Sequence, residues 1–208
     1  MLLQLEINGI AHSNDEQNSL VLLKEKNGQR MFPVMTSRRR AMLLLARAGL
    51  HATLPAPPSV ADICKQMMSH FDVNIRYVRL TTIHDGKCFC SVVGEHGGED
   101  HVVNYCQASD GLIIAVTFNC PIVIDDALMD LQYMRSVGDS GFSMNINTLS
   151  RNMLSDALQH AIDIEDYETA SALRDELRRR ENDDDPKFRA TLSSLLPTEG
   201  NDTTSDSQ

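Results

Sequence analysis

Residues 19–35 read SLVLLKEKNGQRMFPVM. The run from Ser19 to Lys26 and the run from Arg30 to Met35 flank Asn27-Gly28. Asn-Gly between two apolar runs is a strong local signal for a β-hairpin, because a type I′ turn needs positive φ at both central residues. The hairpin makes the sheet antiparallel at this point, which a strict alternation of strand and helix would not do.

The signals on either side extend this reading. Before the hairpin, Leu3, Leu5 and Ile7 alternate with Gln4, Glu6 and Asn8, as in a half-buried strand. After it, Thr36-Ser37 can cap a helix from Arg38 to Ala48, which Gly49 ends. Ser59 opens a second helix with Asp62 as its capping-box partner. Strands are expected over Val73–Thr82 and Lys87–Val93, joined through His84-Asp85-Gly86. A Gly-rich loop over Glu95–Asp100, a strand over His101–Tyr105 and a helix over Ser109–Phe118 follow, then a strand over Pro121–Ile124 and a helix over Asp125–Met134. The pattern predicts an α+β fold: a mixed, largely antiparallel sheet with packed helices, followed by a C-terminal antiparallel helical hairpin.

Residues 1–135 form the main domain in this reading, 136–150 a linker by composition, and 151–181 the hairpin. Residues 182–208 are an acidic, mostly disordered tail in which Phe188, Leu192, Leu195 and Leu196 keep helical spacing and can dock, in cis or on a partner. In the hairpin, Leu154, Leu158, Ala161 and Ile162 form one apolar stripe, and Tyr167, Ala170, Leu173 and Leu177 another. Asp163-Ile164-Glu165-Asp166 supplies the turn. Helices of about three turns are marginal alone, so this pair needs another surface to rest on.

The chain has 19 Lys and Arg against 29 Asp and Glu, a net charge of −10. A chain this acidic repels nucleic acid overall, so phosphate contact requires a local basic cluster. Arg38, Arg39 and Arg40 are that cluster: cations in a helix's first turn oppose the macrodipole, and with the free helix amides they can hold a phosphate. The alternative is a solvated turn paired with acidic groups. The five cysteines include no C-x-x-C pair and sit among apolar residues, which predicts free core thiols in a reducing compartment. No basic leader and no apolar run of membrane-spanning length is evident, so the expectation is a cytoplasmic protein with no membrane contact. His96, Glu99, Asp100 and His101 cluster without a defensible ligand spacing, and no metal site is assigned there.

The run Ala161-Ile162, Glu165-Asp166-Tyr167-Glu168, Ala170 and Leu173-Arg174-Asp175-Glu176-Leu177 resembles the UVR motif. That resemblance implies a protein partner, contacted through Tyr167, Glu168, Ala170, Leu173, Arg174, Asp175 and Leu177. Residues 1 to about 135 resemble the bifunctional nuclease domain family. The resemblance is carried by Ser109-Asp110-Gly111-Leu112-Ile113-Ile114-Ala115, by Phe118-Asn119-Cys120-Pro121-Ile122, by Phe32-Pro33-Val34 and by Pro58 before Asp62-Ile63. It implies cleavage of RNA or DNA with Mg²⁺ or Mn²⁺, a homo-oligomer, and Asp62, Ser109 and Asp110 as the site. Asp62 and Asp110 each also fit a helix start, where a cap or a negative charge is favourable.

Five polar positions depart from that family. Arg40 stands where it has glutamate, Ala61 where it has histidine, Tyr105 and Gln107 where it has aspartate and arginine, and Thr117 where it has arginine. Hydrolysis of a phosphodiester needs an activated water and cations on the developing charge. The substitutions therefore open a second reading, a non-catalytic oligomeric scaffold that recruits a partner through the hairpin.

Overall fold

In the computed structural model, residues 1–12, 18–50, 58–137, 141–143 and 145–182 are described. The expected tail, with its Phe188–Leu196 docking segment, lies outside them. A seven-stranded sheet forms the centre, in the order β3-β2-β1-β7-β4-β5-β6. The strands are β1 (Leu2–His12), β2 (Asn18–Glu25), β3 (Met31–Ser37), β4 (Asn74–His84), β5 (Lys87–His96), β6 (Glu99–Gln107) and β7 (Ile122–Asp125). The helices are α1 (Arg38–Arg47), α2 (Val60–Ser69), α3 (Ala108–Phe118), α4 (Asp126–Gln132), α5 (Arg151–Asp163) and α6 (Tyr167–Asn182). The fold is α+β, as the sequence pattern predicts.

Two antiparallel ribbons, β3-β2-β1 and β4-β5-β6, are joined by the four-residue β7, which runs antiparallel to β1 and parallel to β4. The core beneath the helices is built from Leu5, Leu23, Phe32, Leu44, Val78, Leu80, Leu112 and Ile124. In β5, Cys88 through Gly94 are all buried, so this strand is covered on both faces. Gly111 lets α3 lie directly on the sheet: a Cβ there would sit 3.0 Å from Val78 Cγ1 and run into Cys90 Sγ.

The turns redistribute the hairpin signals. Neither Asn27 nor Gly28 has positive φ, so the β2–β3 connection is not a type I′ turn. Glu25 and Arg30 instead close a longer loop, with Glu25 N donating to Arg30 O at 3.0 Å and Gly28 N to Glu25 O at 3.2 Å. The primed geometry occurs at Asp85-Gly86 (φ 49° and 72°), between paired His84 and Lys87. It recurs at Gly97-Gly98 (φ 61° and 86°), so the expected loop over 95–100 is two extended strands and a two-residue turn.

The stretch 136–150 carries more structure than its composition suggests. Strands β8 (Arg135–Val137) and β9 (Gly141–Ser143) pair, and a 3-10 turn spans Ile146–Thr148. The C-terminal hairpin then packs α5 on α6 through Leu154, Ala161, Ala170 and Leu173, with Glu165 at φ 61° in the turn. Arg180 fastens it to the main sheet: the side chain is buried, donates to Leu149 O at 2.7 Å and Asn147 O at 3.1 Å, and pairs with Asp85 at 3.6 Å. Among the described residues, no helix is long and apolar enough to cross a membrane.

Candidate functional site

Helices α1 and α3 run side by side in the same direction and are linked by two polar rungs. At the first, Arg40 Nη1 donates to Gln107 Oε1 at 3.0 Å and Ser109 Oγ at 3.1 Å, and Arg40 Nη2 pairs with Asp110 Oδ1 at 3.2 Å. At the second, Arg47 Nη1 donates to Thr117 Oγ1 at 2.9 Å and Asp62 Oδ1 at 3.0 Å, while Nη2 pairs with Asp62 Oδ2. Seven residues separate the rungs on each helix, two turns or about 10 Å.

The local sequence explains each placement. Ser37 caps α1 by accepting from Arg40 N at 3.4 Å, which leaves Arg38 and Arg39 exposed at the helix start. Asp62 supplies its half of the expected capping box, accepting from Ser59 N at 2.6 Å and Ser59 Oγ at 3.1 Å. Arg47 first, and then the Ser59 amide, holds the Asp62 carboxyl well below the usual carboxylate range. The helix α3 begins at Ala108, one residue early, with Gln107 at its cap position. Ser109 is buried and accepts from Arg40 rather than capping the helix, and Asp110 sits in the first turn as an acid favoured by the dipole.

Between the rungs lies a cleft of about 970 Å³. Met42, Leu43, Ile75, Ile113, Ile114 and Phe118 line its interior, and Arg39, Arg40 and Asp110 stand at one end. Cys64 and Cys106 also face it. Cys64 is exposed, so it is not the core thiol expected, whereas Cys88 and Cys90 are buried in β5. Burial pushes the Cys88 thiol up to about 12. The Cys106 thiol, opposite Cys90 across the strands, is drawn below the ordinary thiol value by the neighbouring Cys90 thiol.

Mg²⁺ demands oxygen ligands at about 2.0–2.1 Å, and Asp62 and Asp110 are on different rungs, too far apart to share one ion. Each is also already paired with an arginine. Among the described residues, no group of three or more His, Cys, Asp or Glu is placed to hold a metal ion. As placed, Asp62 and Asp110 do not fit a shared divalent-metal site. Asp62, Ser109 and Asp110 therefore do not converge as one catalytic set, whereas Arg40 and Ser109-Asp110 do meet.

Arg47 was missed in the sequence. It lies at the end of an amphipathic helix, and its partners are 15 and 70 positions away. The one available signal was Thr117 standing where the resembled family has arginine: the cation at that point comes from α1 instead. Positions 40 and 107, glutamate and arginine in that family, likewise face each other as Arg40 and Gln107.

On the hairpin the expected contact residues divide. Ala170 and Leu173 point inward, Leu173 at 3% exposure, and Leu177 packs against them. Glu168, Arg174 and Asp175 are exposed, and Tyr167 is 70% exposed beside Ile164 at 59% and Ile162 at 47%. Tyr167 and Ile162 thus leave the apolar stripes assigned to them and form a patch at the hairpin tip.

A sheet of two antiparallel ribbons bridged by a short parallel strand, with two helices laid along one cleft, defines the class of domain. The sequence profile of the bifunctional nuclease domain matches residues 21–136, more than half of the chain. The protein belongs to the bifunctional nuclease domain family. Two uncharacterized proteins of Mycobacterium tuberculosis, from strains CDC 1551 / Oshkosh and ATCC 25618 / H37Rv, are similar to it. Each is 20% identical over 127 residues, covering 61% of this chain and 73% of its own length.

Proposed function

We propose that this family member works by binding rather than by metal-assisted hydrolysis: a self-associating scaffold whose C-terminal hairpin recruits a protein partner. The observation that carries the reading is the pairing of both family-position carboxylates with arginines of α1, Asp110 with Arg40 and Asp62 with Arg47. A carboxylate neutralised in this way is a poor general base and a poor metal ligand. The exposed Ile162, Ile164 and Tyr167 at the hairpin tip support the partner surface, in keeping with the UVR resemblance. Self-association is supported by Val60, Ile63 and Met67, exposed on α2, by exposed Phe71 just past its end, and by Val102 and Val103 on the edge strand β6.

A second reading, cleavage of RNA or DNA, is favoured by family membership and by Arg38 and Arg39, which form no ion pair among the described residues at the start of α1. Labelled single-stranded RNA and DNA with Mg²⁺ or Mn²⁺ separate the two, comparing the wild type with Asp62→Ala/Asp110→Ala. The scaffold reading expects no cleavage by either protein. Cleavage by the wild type that the double variant lacks would establish the nuclease and overturn it.

A further inference from the structure

We propose that Cys90 and Cys106 form a redox-active dithiol at the wall of the α1–α3 cleft, which a hydroperoxide oxidises to a disulfide between β5 and β6. The inference is independent of the scaffold reading, since it concerns the cleft wall and not what the hairpin recruits.

The register of the sheet places the two thiols. Cys90 of β5 and Cys106 of β6 are directly opposed, so their side chains leave the same face of the ribbon. The Cα atoms of an opposed antiparallel pair are about 4.5 or 5.5 Å apart, and both spacings fall within the roughly 4.4–6.8 Å that a disulfide spans. Just beyond the pair the register shifts: Cys90 and Val92 face Cys106 and Val103, so β6 carries an extra residue there. Tyr105, in that bulge, has φ +59°. A bulge re-aims the side chains beside it. Here Cys106 is half-buried and faces the cleft, while Cys90 is fully buried beneath α3. Gly111 gives Cys90 its space, since a Cβ at that position would run into the Sγ atom.

The two thiols differ, and the difference assigns their roles. Cys106 is the one that solvent reaches, and the Cys90 thiol beside it draws it below the ordinary thiol value. The thiolate is the attacking form. The Cys106 thiol and burial together hold Cys90 protonated, above the ordinary value. With hydrogen peroxide, the Cys106 thiolate attacks one oxygen and the O–O bond breaks. The hydroxide that leaves takes up the proton Cys106 released and becomes water, and Cys106 becomes a sulfenic acid. Cys90 Sγ then attacks the Cys106 sulfur. The S–S bond forms, the S–O bond breaks, and the hydroxyl departs as water with the Cys90 proton. Two thiols and one peroxide thus give one disulfide and two waters.

Oxidation reaches the first rung. In the reduced protein, Cys90 Sγ donates to the Gln107 carbonyl at 3.7 Å, and Gln107 Oε1 accepts from Arg40 at 3.0 Å. The disulfide removes the donor beneath Gln107, so the Arg40 rung loosens at the charged end of the cleft.

The test treats the full-length protein with hydrogen peroxide, blocks the remaining thiols with N-ethylmaleimide and maps the peptides by mass. Both thiols should be lost together as one Cys90–Cys106 peptide, while Cys64, though exposed, is still alkylated. The rate should not change on dilution of the protein, and dithiothreitol should restore both thiols. Cys90→Ala should stop Cys106 at a sulfenic acid that dimedone traps, and Cys106→Ser should leave Cys90 reduced at the same dose. The wild-type map decides the matter even where loss of buried Cys90 unfolds the domain. A disulfide from Cys106 to Cys64 or to a second chain would overturn the proposal. So would oxidation of Cys64 ahead of Cys106, or a sulfinic acid at Cys106 with Cys90 still free. The Arg40 Nε–H signal in NMR spectra should shift on oxidation of the wild type and stay in place in Cys106→Ser. A wild-type signal that oxidation leaves in place would overturn the link to the rung.

Discussion

One guanidinium ties three helices together: Arg47 Nη1 lies 2.9 Å from Thr117 Oγ1 on α3 and 3.0 Å from Asp62 Oδ1 on α2. Around it, Lys65 Nζ donates to the Thr117 carbonyl at 2.6 Å and stands 5.9 Å from the centre of the Phe118 ring. The far end of the cleft is therefore a fixed joint, built from groups that in a metal-dependent enzyme would have to stay available.

Asp62→Asn should lower the melting temperature at neutral pH, because it removes the anion that Arg47 and the Ser59 amide hold. The carboxyl is below its ordinary 3.8 in the folded state. Its stabilisation is thus complete above that value and is lost as pH falls through the lower, folded value. Melting curves at falling pH should show a gap between wild type and variant that is constant above pH 3.8 and narrows progressively below it. A gap that does not narrow would place the effect of Asp62 elsewhere.

Leu173→Ala should destabilise the α5–α6 pair by about 2–5 kcal/mol, the range for truncating a buried leucine. Leu173→Asp should separate the helices, with fast amide exchange from residue 154 to 177. Tyr167→Asp, at the exposed tip, should leave exchange unchanged. Loss of protection in the Tyr167 variant would mean that the tip is part of the hairpin's own core.

Gly86→Ala should loosen the hairpin's attachment. The residue is at φ +72°, which costs a non-glycine residue roughly 1–2 kcal/mol. Its new Cβ would also sit 2.9 Å from the Leu149 carbonyl carbon. Proteolysis between residues 145 and 150 should accelerate in the variant while the main sheet still melts cooperatively. Unchanged cleavage would show that Arg180 alone holds the attachment.

Self-association should run through the outer face of α2. Ile63→Glu/Met67→Glu places two charges where exposure is 58% and 59%, so the folded monomer should tolerate both. Light scattering during gel filtration should show a smaller particle for this variant than for the wild type. Equal masses would remove α2 from the interface.

Local signals in the sequence resolved well. Ser37 and Ser59-Asp62 mark real helix starts, Gly49 lies just past a real helix end, and α3 is displaced by one residue. Those features depend on groups three or four positions apart. Asn27-Gly28 misled because turn type is set by how many residues β2 and β3 leave unpaired, and that number is fixed by the sheet. The rungs were invisible for a related reason. Arg40 and Arg47 find partners 69 and 70 positions away, and nothing in a helical periodicity says which distant helix lies alongside. The sequence marks Tyr167 and Leu173 alike as contact residues, because an amphipathic stripe does not say whether it faces a partner or its own twin.

The position of β7 sets the order in which the protein can be made. Strand β1 pairs with Ile122–Asp125 across more than a hundred residues, and the same short strand is the sheet's own link between the two ribbons. During synthesis, at about 5–20 residues per second, the β1-β2-β3 ribbon emerges first and must wait several seconds with one long edge open. Unpaired strand edges of that kind invite pairing with other chains. The nascent chain is thus most exposed to aggregation before residue 125 leaves the ribosome, and a chaperone that shields β1 would matter most in that interval.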